Sequence, residues 1–251
     1  MAVPARPHPR PLVTGGDVTA TAAPTAPPGH PDPGRRHGPA WPALTVVEVA
    51  LAVGAVLIDL FLPAAVLTVL AGLSLAVRRQ GPSTLGFHRL TRPGRQLAQV
   101  AALALGWTTL VFLLVMPVTE HLTGSTQDTS EFADLEGDLP RLLMFVALSW
   151  TLAALVEELA FRGYLLTRIT DLIGTSRVAR GVAVVAVALL FALVHGEQGV
   201  TGMVLVFVDA VFFGVLRYAY GSLWASVVAH GLSNTVGMVA FFLFGPFSAP
   251  W

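Results

Sequence analysis

From residue 44 to residue 244 the chain is a series of apolar runs joined by short connections that hold most of its charges. About 20 apolar residues in an α-helix cross a ~30 Å hydrocarbon core, because each residue rises 1.5 Å and the helix satisfies its own backbone polar groups. Repetition of such runs points to one fold class, an all-α, polytopic transmembrane helix bundle. Composition agrees: 54% of residues are hydrophobic and 12% charged, about half the charged share of a soluble domain. The formal net charge is zero, which argues against nucleic-acid binding by counterion release. No cysteine is present, which removes disulfides, thiolate metal sites and cysteine nucleophiles.

Residues 1–41 are rich in Pro, Ala, Gly and Arg and lack the apolar core of a signal peptide, so they read as a disordered cytoplasmic tail. Residues 42–251 read as the transmembrane domain. The run 44–77 is too long for one crossing, and Pro63 marks the bend of a hairpin. An arginine-rich connection (Arg78, Arg79, Arg89, Arg92, Arg95) leads to a third span near 97–118. The next connection carries Glu120, Asp128, Glu131, Asp134, Glu136 and Asp138 with no basic residue. It reads as a solvated face, with calcium binding as the alternative. Further spans are expected at 141–168, 178–195, 200–218 and 222–244. That makes about seven, or six to eight if a short re-entrant helix lies within 79–96. Alternation of arginine-rich and acidic connections sets the N terminus in the cytoplasm. All fifteen basic residues are arginine, which suggests a GC-rich coding bias and a multi-pass protein of a bacterial plasma membrane.

The fourth span contains Leu155-Val156-Glu157-Glu158-Leu159-Ala160-Phe161-Arg162-Gly163-Tyr164. At 100° per residue Glu158 and Arg162 share a face within ion-pair reach, and Glu157 is turned away from them. Glu157 is thus the uncompensated carboxylate, and an acid inside a bilayer is functional by default. Phe191 and His195 share a face at the end of the fifth span, and His230 and Asn234 share one in the seventh. Counted at 1.5 Å per residue from the nearest cytoplasmic end, Glu157, His195, His230 and Asn234 lie roughly 12–22 Å deep. Similar depth on helices of opposite direction is what one buried polar cavity would produce. Asp209, in the middle of the sixth span, either lines that cavity or pairs with Arg217. Asp59 reads as turn chemistry, and His88 and His121 as solvated.

Glu157-Glu158-x-x-x-Arg162, Phe191-x-x-x-His195 and His230-x-x-x-Asn234 resemble the three motifs of the CPBP intramembrane endopeptidases, the family of the type II CAAX prenyl proteases and the Abi-type proteins. The likeness covers roughly 140–245 and includes Gly163-Tyr164-Leu165, Gly214 and Gly221-Ser222-Leu223-Trp224. It implies that Glu157 activates the hydrolytic water, His195 helps bind it, and His230 with Asn234 forms the oxyanion hole. Glu158 and Arg162 then support the site. The chemistry of the residues agrees, since amide hydrolysis needs a base for water and donors for the oxyanion. No Gly-x-Ser-x-Gly elbow and no His-Glu-x-x-His motif is present.

No cofactor is favoured. The alternative is a zinc-dependent metalloprotease that uses Glu157, His195 and His230 as a two-histidine, one-carboxylate set. A second alternative is a non-cleaving scaffold or immunity-type binding protein, with the polar groups joining helices. The expected partners are the lipid bilayer and a membrane-associated peptide or protein, lipidated if the CAAX branch is the guide.

Overall fold

A computed structural model describes residues 40–59 and 62–246; the tail expected over 1–41 falls almost wholly outside them. The described residues are helical and contain no strand. Seven long helices follow one another: α1 Ala40–Leu57, α2 Pro63–Arg78, α3 Pro93–Thr123, α4 Leu139–Ile173, α5 Arg177–Leu193, α6 Gly199–Ala219 and α7 Leu223–Phe244. By length and composition α3, α4, the segment Gly196–Ala219 and α7 can each cross a membrane, while α1 and α2 are shorter apolar helices. Within 79–96 there is one 3₁₀ turn, Pro82–Leu85, ahead of α3.

Local chemistry sets the helix starts. Pro63 and Pro93 stand in the first turns of α2 and α3, where a missing N–H costs nothing. Asp138 caps α4 by accepting from the Arg141 amide, Ser176 caps α5 through Ala179, and Ser222 caps α7 through Trp224. Asp59 lies in the turn between α1 and α2 with φ of 48°, a conformation that Asp tolerates better than most residues.

The bundle is apolar on both sides. Inside, Leu67, Phe161, Leu165, Val187 and Phe191 belong to one buried cluster shared by α2, α4 and α5. Outside, Leu57, Leu113, Leu143 and Leu193 are exposed. In water such a surface would aggregate; in a bilayer it meets acyl chains.

Two features depart from the regular pattern. Residues 111–115 of α3 and 149–165 of α4 are π-helical, with the Leu166 amide bonded to the Phe161 carbonyl five residues back. π segments are rare and concentrate at functional sites; this one contains both glutamates and Arg162. The second departure corrects the use of Arg168 as the cytoplasmic end of its span. α4 runs on to Ile173, and Arg168 is buried, bonded to Ser74, Asp171 and Gln80 and 3.3 Å from Glu48. Glu48 also pairs with Arg78 at 2.8 Å. The charges of the first two helices thus join α1 and α2 to α4, through ion pairs that leave no buried charge alone.

The loop before α3 docks on the start of α7. The Leu223 amide donates to the Gly86 carbonyl at 2.7 Å, and the Ser222 hydroxyl to that of His88. Gly86 has φ of +92°, where a side chain is strained, and a Cβ there would also have to displace the Arg217 guanidinium. Arg217 lies against this loop. His88 and His121 are exposed, the latter in the last turn of α3. Asp134 and Asp138 both receive Arg141, at 2.5 and 3.3 Å.

Candidate active site

The polar residues of α4 and α7 meet at His230. Glu158 is fully buried, and its Oε1 lies 2.9 Å from His230 Nδ1 and 3.1 Å from Arg162 Nη1. A carboxylate only accepts, so the Nδ1 proton is fixed on that side of the ring. His230 Nε2 faces the other way, 4.0 Å from Glu157 Oε2. Adjacent glutamates thus address the two nitrogens of one imidazole. Glu158 is 0% exposed and the Glu157 side chain 23%, so Glu157 alone of the pair opens to the cavity.

Arg162, 1% exposed, is held by charge and by rings. Its Nη1 and Nη2 lack hydrogen-bond partners of good geometry despite the 3.1 Å approach to Glu158. Its guanidinium carbon lies 4.2 Å from the centre of the Phe191 ring and 5.8 Å from that of Phe213, both distances at which a cation is attracted to a ring face. Phe213 stacks on His230 with centroids 4.9 Å apart and planes at 15°. Phe191 meets the same imidazole edge-on at 6.2 Å.

His195 sits just past the end of α5, in the turn before Gly196–Gln198. Its Nδ1 is 2.8 Å from the Phe191 carbonyl oxygen; a carbonyl accepts, so this nitrogen carries hydrogen and leaves Nε2 with a lone pair. Asn234, one turn beyond His230, donates one amide hydrogen to Ser149 Oγ at 3.1 Å, and its second hydrogen remains for another acceptor. Beside it, Thr108 donates to Ser233 at 2.9 Å, which ties α3 to α7. Gly231 makes room for Trp150, whose indole ring would lie 2.7 Å from a Cβ there and whose Nε1 donates to Thr235.

Glu157, His195, Asp209, His230 and Asn234 all line one cavity of about 540 Å³. Asp209 accepts from Trp107 Nε1 at 2.6 Å and is not paired with Arg217, which decides between its two expected places. The cavity also takes in Glu131 and Glu197 from the connections at its loop end. Partial burial, then the charge of Glu197, pushes the Glu131 carboxyl above the usual range, against the opposing pull of His195. Among the described residues no three His, Asp or Glu side chains are grouped closely enough to hold a metal ion.

The sequence reading assigns no role to Trp107, Ser149, Phe213 and Glu197, and sets Glu131 on a solvated face, whereas it lines the cavity. Phe213 had a signal, for it lies four residues from Asp209 and shares its helix face. Trp107 had none, since one indole in an apolar span resembles any membrane-interface tryptophan.

In chemical terms the cavity offers a carboxylate, two imidazole Nε2 atoms and an amide donor inside apolar walls, a set suited to activating water and holding a developing oxyanion. Residues 139–236 match the family model described as type II CAAX prenyl endopeptidase Rce1-like. No curated protein and no solved structure matches the chain significantly.

Proposed function

We propose, from the match of residues 139–236 to the Rce1-like family model, that the chain is an intramembrane peptide hydrolase and cleaves a membrane-associated protein or peptide with water activated by Glu157. The observation that carries this reading is the convergence of Glu157, His195, His230 and Asn234 on one cavity. Glu157 takes the proton of a water that also donates to His195 Nε2. The hydroxide adds to the peptide carbonyl, and the oxyanion is received by the Asn234 amide and by His230, whose Nε2 takes from Glu157 the proton it has accepted and gives it back as the intermediate collapses. Each such donor, aimed well, accounts for about 10²–10³ in rate. Proton return to the leaving nitrogen through Glu157 completes the hydrolysis.

Glu158 and Arg162 hold His230 in register and are positioning residues. The apolar walls, with Phe112, Phe145, Leu148, Leu152 and Phe241, suit an apolar or lipidated segment, and a bacterial plasma membrane is the proposed setting. The zinc reading would use Glu157 and the Nε2 atoms of His195 and His230, the latter with its Nδ1–H still on Glu158; among the described residues these groups are not close enough together to share one ion.

The test compares the N termini of membrane proteins in cells that express equal amounts of wild type and Glu157→Gln, by terminal-peptide mass spectrometry. Termini present only with wild type are expected, and a general base is worth roughly 10²–10⁴ in rate. Identical termini from the two folded proteins would refute the hydrolytic role and favour a scaffold.

A further inference from the structure

Asp209 is a carboxylate in the middle of α6 that the hydrolytic steps leave unused. It lines the catalytic cavity, and its orientation is fixed. Trp107 Nε1 donates to Oδ1 at 2.6 Å, which is short for N–H···O. The indole is itself held by stacking on Phe212, with centroids 4.7 Å apart and planes at 11°. Asp209 forms no other hydrogen bond or ion pair among the described residues, so Oδ2 keeps its full accepting capacity. Four residues along the same helix, Phe213 stacks on His230. About 6 Å of rise along α6, just over one helical turn, therefore separates Asp209 from the residue whose ring lies against the proposed oxyanion donor.

The charge of the lining is one-sided. Among the described residues it includes four acids, Glu131, Glu157, Glu197 and Asp209, and no arginine. Arg162, the cation below, is engaged with the fully buried Glu158. Protonation of both histidines would offset two of the four carboxylates and leave two in excess. In a water-poor cavity an uncompensated carboxylate is costly, and a cation arriving with the ligand relieves that cost.

We propose that Asp209 is a specificity-determining residue that receives a lysine or arginine side chain of the substrate segment, close to the bond to be cut. Trp107 holds Oδ1, Oδ2 accepts from the incoming ammonium or guanidinium, and Glu131 and Glu197 at the loop end attract the cation. Preferred substrates are then apolar segments interrupted by one basic residue. The inference rests on the peptidase reading for its biological meaning, but the recognition itself can be measured without cleavage.

The full chain carrying Glu157→Gln, in detergent or nanodiscs, is titrated with fluorescent apolar peptides identical except for lysine or norleucine at each position in turn. At one position lysine should bind about tenfold or more tightly than norleucine, the scale of a desolvated charge pair. In Glu157→Gln/Asp209→Asn the ratio should fall to near one, with Trp107 still finding an acceptor in the asparagine. Asp209→Glu keeps the charge and should retain a preference for lysine, which a merely structural role would not predict. A ratio near one at every position with Asp209 intact overturns the proposal, as does a ratio that persists in the asparagine variant. If lysine selectivity is found and wild type cleaves none of these peptides, the peptidase reading fails and the recognition site stands.

Discussion

Replacing Arg162 by methionine keeps most of its apolar stem and removes the only guanidinium beside Glu158. Glu158 is 0% exposed and would be left with the Nδ1–H of His230 as a neutral donor and no cation beside it. Two ranges bound the cost. Orphaning one member of a buried ion pair costs about 3–5 kcal/mol, and an unpaired charge at the centre of a membrane helix about 2.5–3.5 kcal/mol. They overlap near 3 kcal/mol, well above the ~0.6 kcal/mol average of side-chain hydrogen bonds between membrane helices. For a chain of this size that corresponds to a fall in Tm of roughly 6–12 °C. The assay is thermal unfolding in one detergent, followed by tryptophan fluorescence, for wild type, Arg162→Met, Glu158→Gln and the double variant. Glu158→Gln/Arg162→Met removes both charges and leaves a glutamine oxygen to accept from His230, so it should recover most of the loss. A drop of less than about 2 °C in the single variant, or a double variant as unstable as Arg162→Met, would refute the reasoning.

Two further outcomes follow from the same geometry. Gly231→Ala places a methyl group 2.7 Å from the Trp150 ring next to His230; the repacking should cost about 1–3 kcal/mol in thermal unfolding and lower cleavage further than stability alone explains, and an unchanged rate would count against a tight α4–α7 contact. The Glu131 carboxyl, pushed up by partial burial and Glu197, keeps its proton in the folded state to higher pH than in the unfolded one. Stability from this group is therefore greatest at low pH and is lost as pH rises through the raised folded value. Glu131→Gln should raise Tm slightly at about pH 7 and leave it unchanged near pH 3, where both states are protonated; the reverse pattern would contradict the assigned direction.

The helices were legible because each depends on a local property, an apolar run closed by proline, glycine or a capping side chain. Pro63 as a bend and the break between α4 and α5 are read directly in this way. The polar set of the cavity was legible because charged and amide side chains are so rare in these runs that each one stands out. Three things could not be read. The π geometry of 149–165 arises from how α4 packs, and neither composition nor period announces it. Arg168 looked like a helix end because arginine usually marks one, whereas here α1, α2 and the loop after α2 supply it with partners. The bond from Trp107 to Asp209 joins residues 102 positions apart, and no local pattern encodes a contact of that range.

The helical path of α4 also explains how two consecutive glutamates come to have opposite surroundings. On either helical geometry neighbours are splayed about the axis, so Glu157 and Glu158 cannot both point at the same spot. They can point at opposite ends of one small ring, and His230 is that ring, with Nδ1 at 2.9 Å from Glu158 and Nε2 at 4.0 Å from Glu157. Glu158 then needs a cation on its own side, and Arg162, four residues on, supplies it within the same segment. Phe191 and Phe213 cover the guanidinium and the imidazole together, which excludes water from the charged layer and leaves Glu157 as its opening to the cavity. The motif Glu157-Glu158-x-x-x-Arg162 is therefore a free acid, a fixed acid and a counterion, and the histidine of a distant helix joins the first two.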